Sequence, residues 1–262
     1  MRTECPHSLT MHDAHNHLQH IRFDGIRDQV ITDMRTTGVT RCVVNGTCPD
    51  DWKKVADLAR RHPDLIIPSF GLHPWKKPTT DWFEQLVGYL DTTPNACIGE
   101  CGLDRWMEDF DVDLQEDIFL KHLKLATERN LPLSIHCLKA WGHLVEILES
   151  HPLPERGFLL HSYGGSKELV PRLAKLGAYF SFSGYFLHEK KHKVREAFAV
   201  VPADRLLIET DAPDMLPPKE AITHPLPENL NHPANVAAIH QTASAFLDVS
   251  EVDANCMEFF TL

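Results

Sequence analysis

The sequence has no apolar run of about 18 residues or more, the length a membrane-spanning helix needs. Its opening, Met1-Arg2-Thr3-Glu4-Cys5-Pro6-His7, lacks the apolar stretch of a secretory signal, so residues 1–9 read as a polar extension of a cytoplasmic protein. No Cys-x-x-Cys pair occurs. The seven cysteines (Cys5, Cys42, Cys48, Cys97, Cys101, Cys137 and Cys256) are odd in number and scattered, which fits free thiols and neither a disulfide framework nor a thiolate zinc knuckle. No Gly-x-Gly-x-x-Gly follows an apolar run, so a dinucleotide fold lacks its fingerprint. No Gly/Ser linker divides the chain, which reads as one domain over 1–262. Basic side chains are also in short supply. There are 26 Lys and Arg against 37 Asp and Glu, a net charge of −11. That disfavours a broad cationic face for coating nucleic acid, but leaves room for an enzyme that handles phosphates through metal ions and a few local cations.

Hydrophobic residues, at 43%, are enough for a substantial core. Eight short apolar runs recur: Thr10–Ala14, Thr40–Val44, Leu65–Phe70, Ala96–Gly99, Leu133–Ile135, Phe158–Leu160, Ala178–Phe182 and Leu206–Ile208. They are apolar on both faces, as buried parallel strands are. Helical spacing marks Asp50–His62, Val112–Asn130, Trp141–Ser150 and Lys167–Leu176, and Asn235–Phe260 reads as a closing helical stretch. Alternating strands and helices, eight times over, predict an α/β protein with a closed (β/α)8 (TIM) barrel; an open doubly wound sheet is the rival. The segment Pro213–Pro233, with six prolines after the eighth run, is expected as a loop at the barrel mouth.

The chain is rich in one ligand type, with 17 histidines. Several fall where strands end: His15 and His17 after the first run, His136 after the fifth, His161 after the sixth. Glu100 follows the fourth run and Asp211 the eighth. A barrel brings its C-terminal strand ends to one face, so these six predict one metal site there. Four imidazoles and two carboxylates suit divalent Zn, Mg or Mn, and six ligands suit two ions about 3.5–4 Å apart with a bridging carboxylate. Cys101 and Cys137 read as packing residues turned away by strand alternation, and His62, His122, His143 and His151 as surface. The stretch His188–Lys193 reads as a solvated helix start or a phosphate-binding edge.

Seven motifs in order carry a resemblance that covers the chain from Asp13 to about Phe260. They are Asp13-Ala14-His15-Asn16-His17, Gly71-Leu72-His73-Pro74, Gly99-Glu100-Cys101-Gly102-Leu103-Asp104, Leu133-Ser134-Ile135-His136, His161-Ser162-Tyr163-Gly164-Gly165, Leu207-Ile208-Glu209-Thr210-Asp211-Ala212-Pro213 and Pro233-Ala234-Asn235-Val236. The sequence resembles the TatD-type family of metal-dependent hydrolases and deoxyribonucleases, within the amidohydrolase-like barrels. The resemblance implies that His15, His17, Glu100 and Asp211 hold one metal, that Glu100, His136 and His161 hold the second, and that Asp211 deprotonates the attacking water. His73, Arg105, Lys139 and Lys190 are expected against substrate. Three positions depart from the family pattern at the mouth: Leu138 followed by Lys139, Arg105 before Trp106, and Ser162-Tyr163 after His161.

The expected function is a metal-dependent deoxyribonuclease, 3′–5′ exonuclease-like, that cleaves phosphodiester bonds of single-stranded DNA or strand ends as a monomer without an obligate protein partner. One alternative is a binuclear amidohydrolase-like enzyme acting on a small amide, lactone or phosphoester. Many of those bridge their metals with a modified lysine, where this chain offers Glu100. The other is an interaction module with a vestigial metal site.

Overall fold

A computed structural model describes residues 11–109 and 111–261. The extension expected over 1–9, with Cys5, lies outside them. Eight parallel strands stand in sequence order: β1 (Met11–Asn16), β2 (Val39–Asn45), β3 (Ile66–Phe70), β4 (Cys97–Asp104), β5 (Leu133–Leu138), β6 (Phe158–Leu160), β7 (Ala178–Ser183) and β8 (Leu206–Glu209). Every residue of β1, β3, β4, β6, β7 and β8 is buried, which is why most of these strands run apolar instead of alternating; β1 and β4 are the main exceptions, burying His12, Asp13, His15, Asn16, Glu100 and Asp104. The helices α1 (Arg27–Thr37), α2 (Pro49–Arg61), α3 (Trp82–Thr92), α4 (Val112–Arg129), α5 (Trp141–Ser150), α6 (Val170–Lys175) and α7 (His192–Phe198) follow the first seven strands in turn. The architecture is a (β/α)8 barrel.

The ring closes between β8 and β1 through a seam of individual bonds. Asp211 N donates to His15 O (2.9 Å) and His17 N to Ala212 O (2.7 Å). The buried Asp13 carboxylate accepts Thr210 N (2.8 Å), Thr210 Oγ1 (2.6 Å) and Asn16 Nδ2 (2.9 Å).

The closing stretch is two helices, α8 (Val236–Ala243) and α9 (Val252–Phe260), and not the single helical run expected over Asn235–Phe260. Between them Asp248 Oδ1 accepts Ser250 N (3.1 Å) and Ser250 Oγ (2.6 Å), a local side-chain turn that competes with helix. The break lets α9 fold under the barrel. Its Cys256, Phe259 and Phe260 cluster with Ala14, Val43, Ile67, Cys97, Leu159, Tyr179 and Leu207, closing the end opposite the strand C-termini. Among the described residues no helix is long and apolar enough to cross a membrane.

Candidate metal centre

The six expected ligands converge at the C-terminal mouth, with Glu100 in the middle. Two close backbone approaches put it there. Gly99 (φ +133°) and Gly102 (φ +146°) flank Glu100, and a Cβ on them would lie 2.7 Å from Ser134 O and 2.0 Å from His136 O. Only glycine lets β4 press so tightly on β5, and their register shifts between Ile98 and Cys101.

The two Glu100 oxygens face two different groups. Oε2 lies 3.3 Å from His15 Nε2 and 3.3 Å from His17 Nε2, and Asp211 Oδ1 stands 3.7 and 3.5 Å from the same nitrogens. Oε1 lies 2.7 Å from His161 Nε2, 3.0 Å from His136 Nδ1 and 3.2 Å from His73 Nε2.

Hydrogen bonds fix which ring atoms are free. His17 Nδ1 donates to Asn45 O (2.8 Å), leaving Nε2, which faces Glu100, as the ring atom a cation could take in place of a proton. His136 Nε2 donates to Asp104 Oδ2 (2.8 Å), leaving Nδ1. Such carboxylate- and carbonyl-backed imidazoles are what a metal ligand requires. His73 is the opposite case. Its Nδ1 accepts Trp75 N (3.1 Å), so the neutral ring carries its proton on Nε2 and can donate but not ligate.

The donor set fits divalent ions. His15 Nε2 is buried without a hydrogen-bond partner. Its 3.3 Å spacing to Glu100 matches two donors on one ion, about 3.0–3.5 Å apart at metal–ligand lengths of about 2.0–2.2 Å, and Asp211 stands slightly wider at 3.7 Å. His15, His17 and Glu100 form one such group and His15, His161 and Asp211 another; His73, Glu100 and His136 also lie close together, but there the His73 proton leaves only Glu100 and His136 as donors to an ion.

Charge in the site is balanced by ring protons when no cation is bound. Burial opposes ionisation of Glu100, but the imidazoles of His161, His73 and His15 outweigh it and hold the carboxyl well below its usual range. Burial likewise opposes charge on His17 and His161; hydrogen bonds and charge from Asp211, Glu100 and Glu209 win and raise both rings well above 6.5. Burial drives His73 down to about 4, so it is neutral at pH 7. Relative to the unfolded chain, the protons on His17 and His161 stabilise the metal-free fold fully below about pH 6.5. That contribution is lost as pH rises through the raised values, so metal-free protein is expected to weaken on the alkaline side and a divalent ion to restore it. The same protons compete with metal. Calorimetric titrations in buffers of different ionisation enthalpy should show proton release on loading and weaker affinity as pH falls. Affinity that stays flat from pH 8 to 6 would remove these rings from the ligand set.

Four supporting residues escaped the sequence reading. Asp104 backs His136. Glu209, fully buried, accepts Ser162 Oγ (2.5 Å) and Ser181 Oγ and lies 3.6 Å from His161 Nδ1. Asp13 ties the two ends of the ring. Asp13→Ala would strand three buried donors and is expected to cost about 3 kcal/mol of stability, read from urea unfolding. A loss under about 1 kcal/mol would mean that the seam does not depend on this carboxylate. His122, expected on the surface, is buried on α4. Its Nδ1 donates to Ile118 O (2.8 Å) and its Nε2 accepts Leu72 N (3.1 Å), which fixes the loop that carries His73. Its place on the stripe of Ile118 and Leu125 was the signal for it.

A cavity of about 860 Å³ opens above the carboxylates, lined by His17, His73, Glu100, His136, His161 and Asp211 among others. Arg105, Lys139 and Lys190 do not line it; Arg22, Lys76 and Lys191 do. Alternation explains the first two, which follow the inward Asp104 and the lining Leu138. Residues 189–191 form a 3-10 turn before α7, where neighbours point about 120° apart, so Lys191 reaches the cavity and Lys190 does not. Cys101 and Cys137 both pack in the core as expected, but Cys137 also borders the cavity and is not fully turned away by alternation. From the 213–233 segment, Asp214 and Met215 reach the same wall.

Imidazoles and carboxylates gathered at the C-terminal mouth of a (β/α)8 barrel define a barrel hydrolase of the metal-dependent class. A family model described as TatD related DNase matches residues 12–259, and the chain belongs to that family. It is 30% identical to the "3'-5' ssDNA/RNA exonuclease TatD" of Pantoea sp. (strain At-9b), over 96% of this chain and 100% of that one. It is also 30% identical to the "Uncharacterized metal-dependent hydrolase YabD" of Bacillus subtilis, covering 86% of each. Among solved structures, the TatD homolog YJJV from Escherichia coli superposes with a TM-score of 0.87 at 25% identity, over 96% of this chain and 98% of that one.

Proposed function

We propose that this chain is a two-metal exonuclease that removes nucleotides from the 3′ end of single-stranded DNA or of frayed strand ends. One observation carries the reading: Glu100 offers one oxygen to the His15/His17/Asp211 group and the other to the His136/His161 group. When bound there, two divalent ions, Zn, Mg or Mn, would supply Lewis acidity and an acidified water. Under this reading Asp211 stays ionised, because the surrounding imidazoles outweigh its burial, and its carboxylate takes the proton of the attacking water. His73 Nε2–H faces Glu100 Oε1 (3.2 Å) and would hold that carboxylate in place. Arg22, Lys76 and Lys191 at the rim would neutralise neighbouring phosphates, although Arg22 also pairs with Asp214 (2.9 Å). Burial favours a strand end: Glu100 is 2% exposed and His15 fully buried, so a phosphate would have to enter the cavity to meet them. The 3′–5′ direction is taken from the printed names of relatives such as the Pantoea enzyme.

The test is 5′-labelled single-stranded DNA incubated with EDTA, then with Mg²⁺, Mn²⁺ or Zn²⁺. A metal-dependent ladder shortening from the 3′ end is expected, blocked by a 3′-terminal phosphorothioate. Protein that binds two ions, leaves DNA intact and hydrolyses small esters or lactones would replace this reading with the small-molecule one.

A further inference from the structure

The exposed large apolar side chains are not spread evenly. Trp75 is 48% exposed, Trp106 59% and Leu138 37%, and all three line the mouth on the His136 side. Exposed aromatic surface of this kind marks a binding surface. Asp104, just beneath, links it to the metal cluster. Its Oδ2 accepts both Trp75 Nε1 (2.7 Å) and His136 Nε2 (2.8 Å), and its Oδ1 accepts Trp106 N (2.6 Å). The Trp75 backbone N–H also fixes His73 Nδ1, and its ring sits 4.9 Å from the His73 ring and 6.1 Å from that of His136. An indole packed for bulk alone would not be half exposed with its one polar atom spent on the carboxylate that orients a ligand.

We infer that Trp75 has two roles: its face is the platform on which a base of the substrate strand stacks, and its indole N–H, through Asp104, makes it a positioning residue for His136. The first role rests on the exonuclease reading; the second does not. Base stacking on aromatics is worth about 1–3 kcal/mol, a factor of about 5–150. Removing a partner that orients a ligand costs about 10–100-fold in metal affinity, and Trp75, one bond further out, should cost about 3–10-fold.

Trp75→Phe keeps a ring and loses the N–H; Trp75→Leu loses both. Two titrations separate the roles. The first follows oligothymidylate binding in EDTA by anisotropy. The second measures Mn²⁺ binding calorimetrically, reading both equivalents. Trp75→Phe is expected to bind the oligonucleotide within about twofold of wild type and to weaken one Mn²⁺ equivalent about 3–10-fold, leaving the other unchanged. Trp75→Leu should show the same metal defect and bind the oligonucleotide at least about fivefold more weakly. Unchanged Mn²⁺ affinities in Trp75→Phe, or equal loss of both equivalents, would overturn the positioning role, since general loosening moves both. Unchanged oligonucleotide binding in Trp75→Leu would overturn the platform alone. If wild-type protein binds no oligonucleotide either in EDTA or with Ca²⁺ in its place, the platform falls; the exonuclease reading is decided separately by the cleavage ladder, and the metal titration still decides the positioning role.

Discussion

Glu100→Ala protein is expected to fold, to lose metal from both groups at once, and to fall at least about 10⁴-fold in kcat/KM. A shared ligand produces a joint loss where a private one would empty a single group. Each ion contributes several kcal/mol to the transition state, and every 1.36 kcal/mol is about tenfold in rate. Elemental analysis of dialysed protein and cleavage of end-labelled DNA measure the two losses separately. A variant that keeps about two ions, or stays within tenfold of wild-type turnover, would sink the bridging assignment. His17→Ala provides the comparison, since it touches only the Oε2 side.

Asp211→Asn, assayed at saturating metal, is expected to lose about 10²–10⁴-fold in kcat, the usual worth of a positioned general base. Its pH profile should change as well. Burial would raise the Asp211 carboxyl, but His17, His161 and His15 pull it below its usual range. Wild-type kcat should therefore hold steady down through weakly acidic pH and fall only when Asp211 takes up a proton. In the amide variant the proton must go to solvent, so the rate should climb about tenfold per pH unit. Near-normal turnover with an unchanged profile would assign the proton elsewhere.

Much of this arrangement was legible before any coordinates. The eight apolar runs match the eight strands to within a few residues, because strands buried on both faces are largely apolar where no site residue interrupts them. The one large discrepancy is β4, which reads as stopping at Gly99 but continues to Asp104. Glycines end an apolar pattern on paper, yet here they are what lets the strand lie close to β5. The convergence of His15, His17, His136 and His161 was legible because histidine at a strand end is conspicuous. The carboxylates behind them, Asp104 and Glu209, were not, since an acid's partner is settled by a neighbouring strand and leaves no periodic mark. Arg105, Lys139 and Lys190 stay off the cavity wall for a related reason. Being near the mouth in sequence does not say which way an odd or even residue points, and three other cations, Arg22, Lys76 and Lys191, line the cavity.

The seam between β1 and β8 has a consequence for synthesis of the chain. His15 and Asp211 are 196 positions apart, the arithmetic being 211 − 15. Contacts of such long sequence separation form late, because the loop entropy must be lost before they repay it. His15 and His17 therefore wait, as a ribosome delivers seven strands, without the Asp211 that completes their group. Completion of that group and ring closure fall together at the end of folding, and a chain truncated before residue 206 should reach neither.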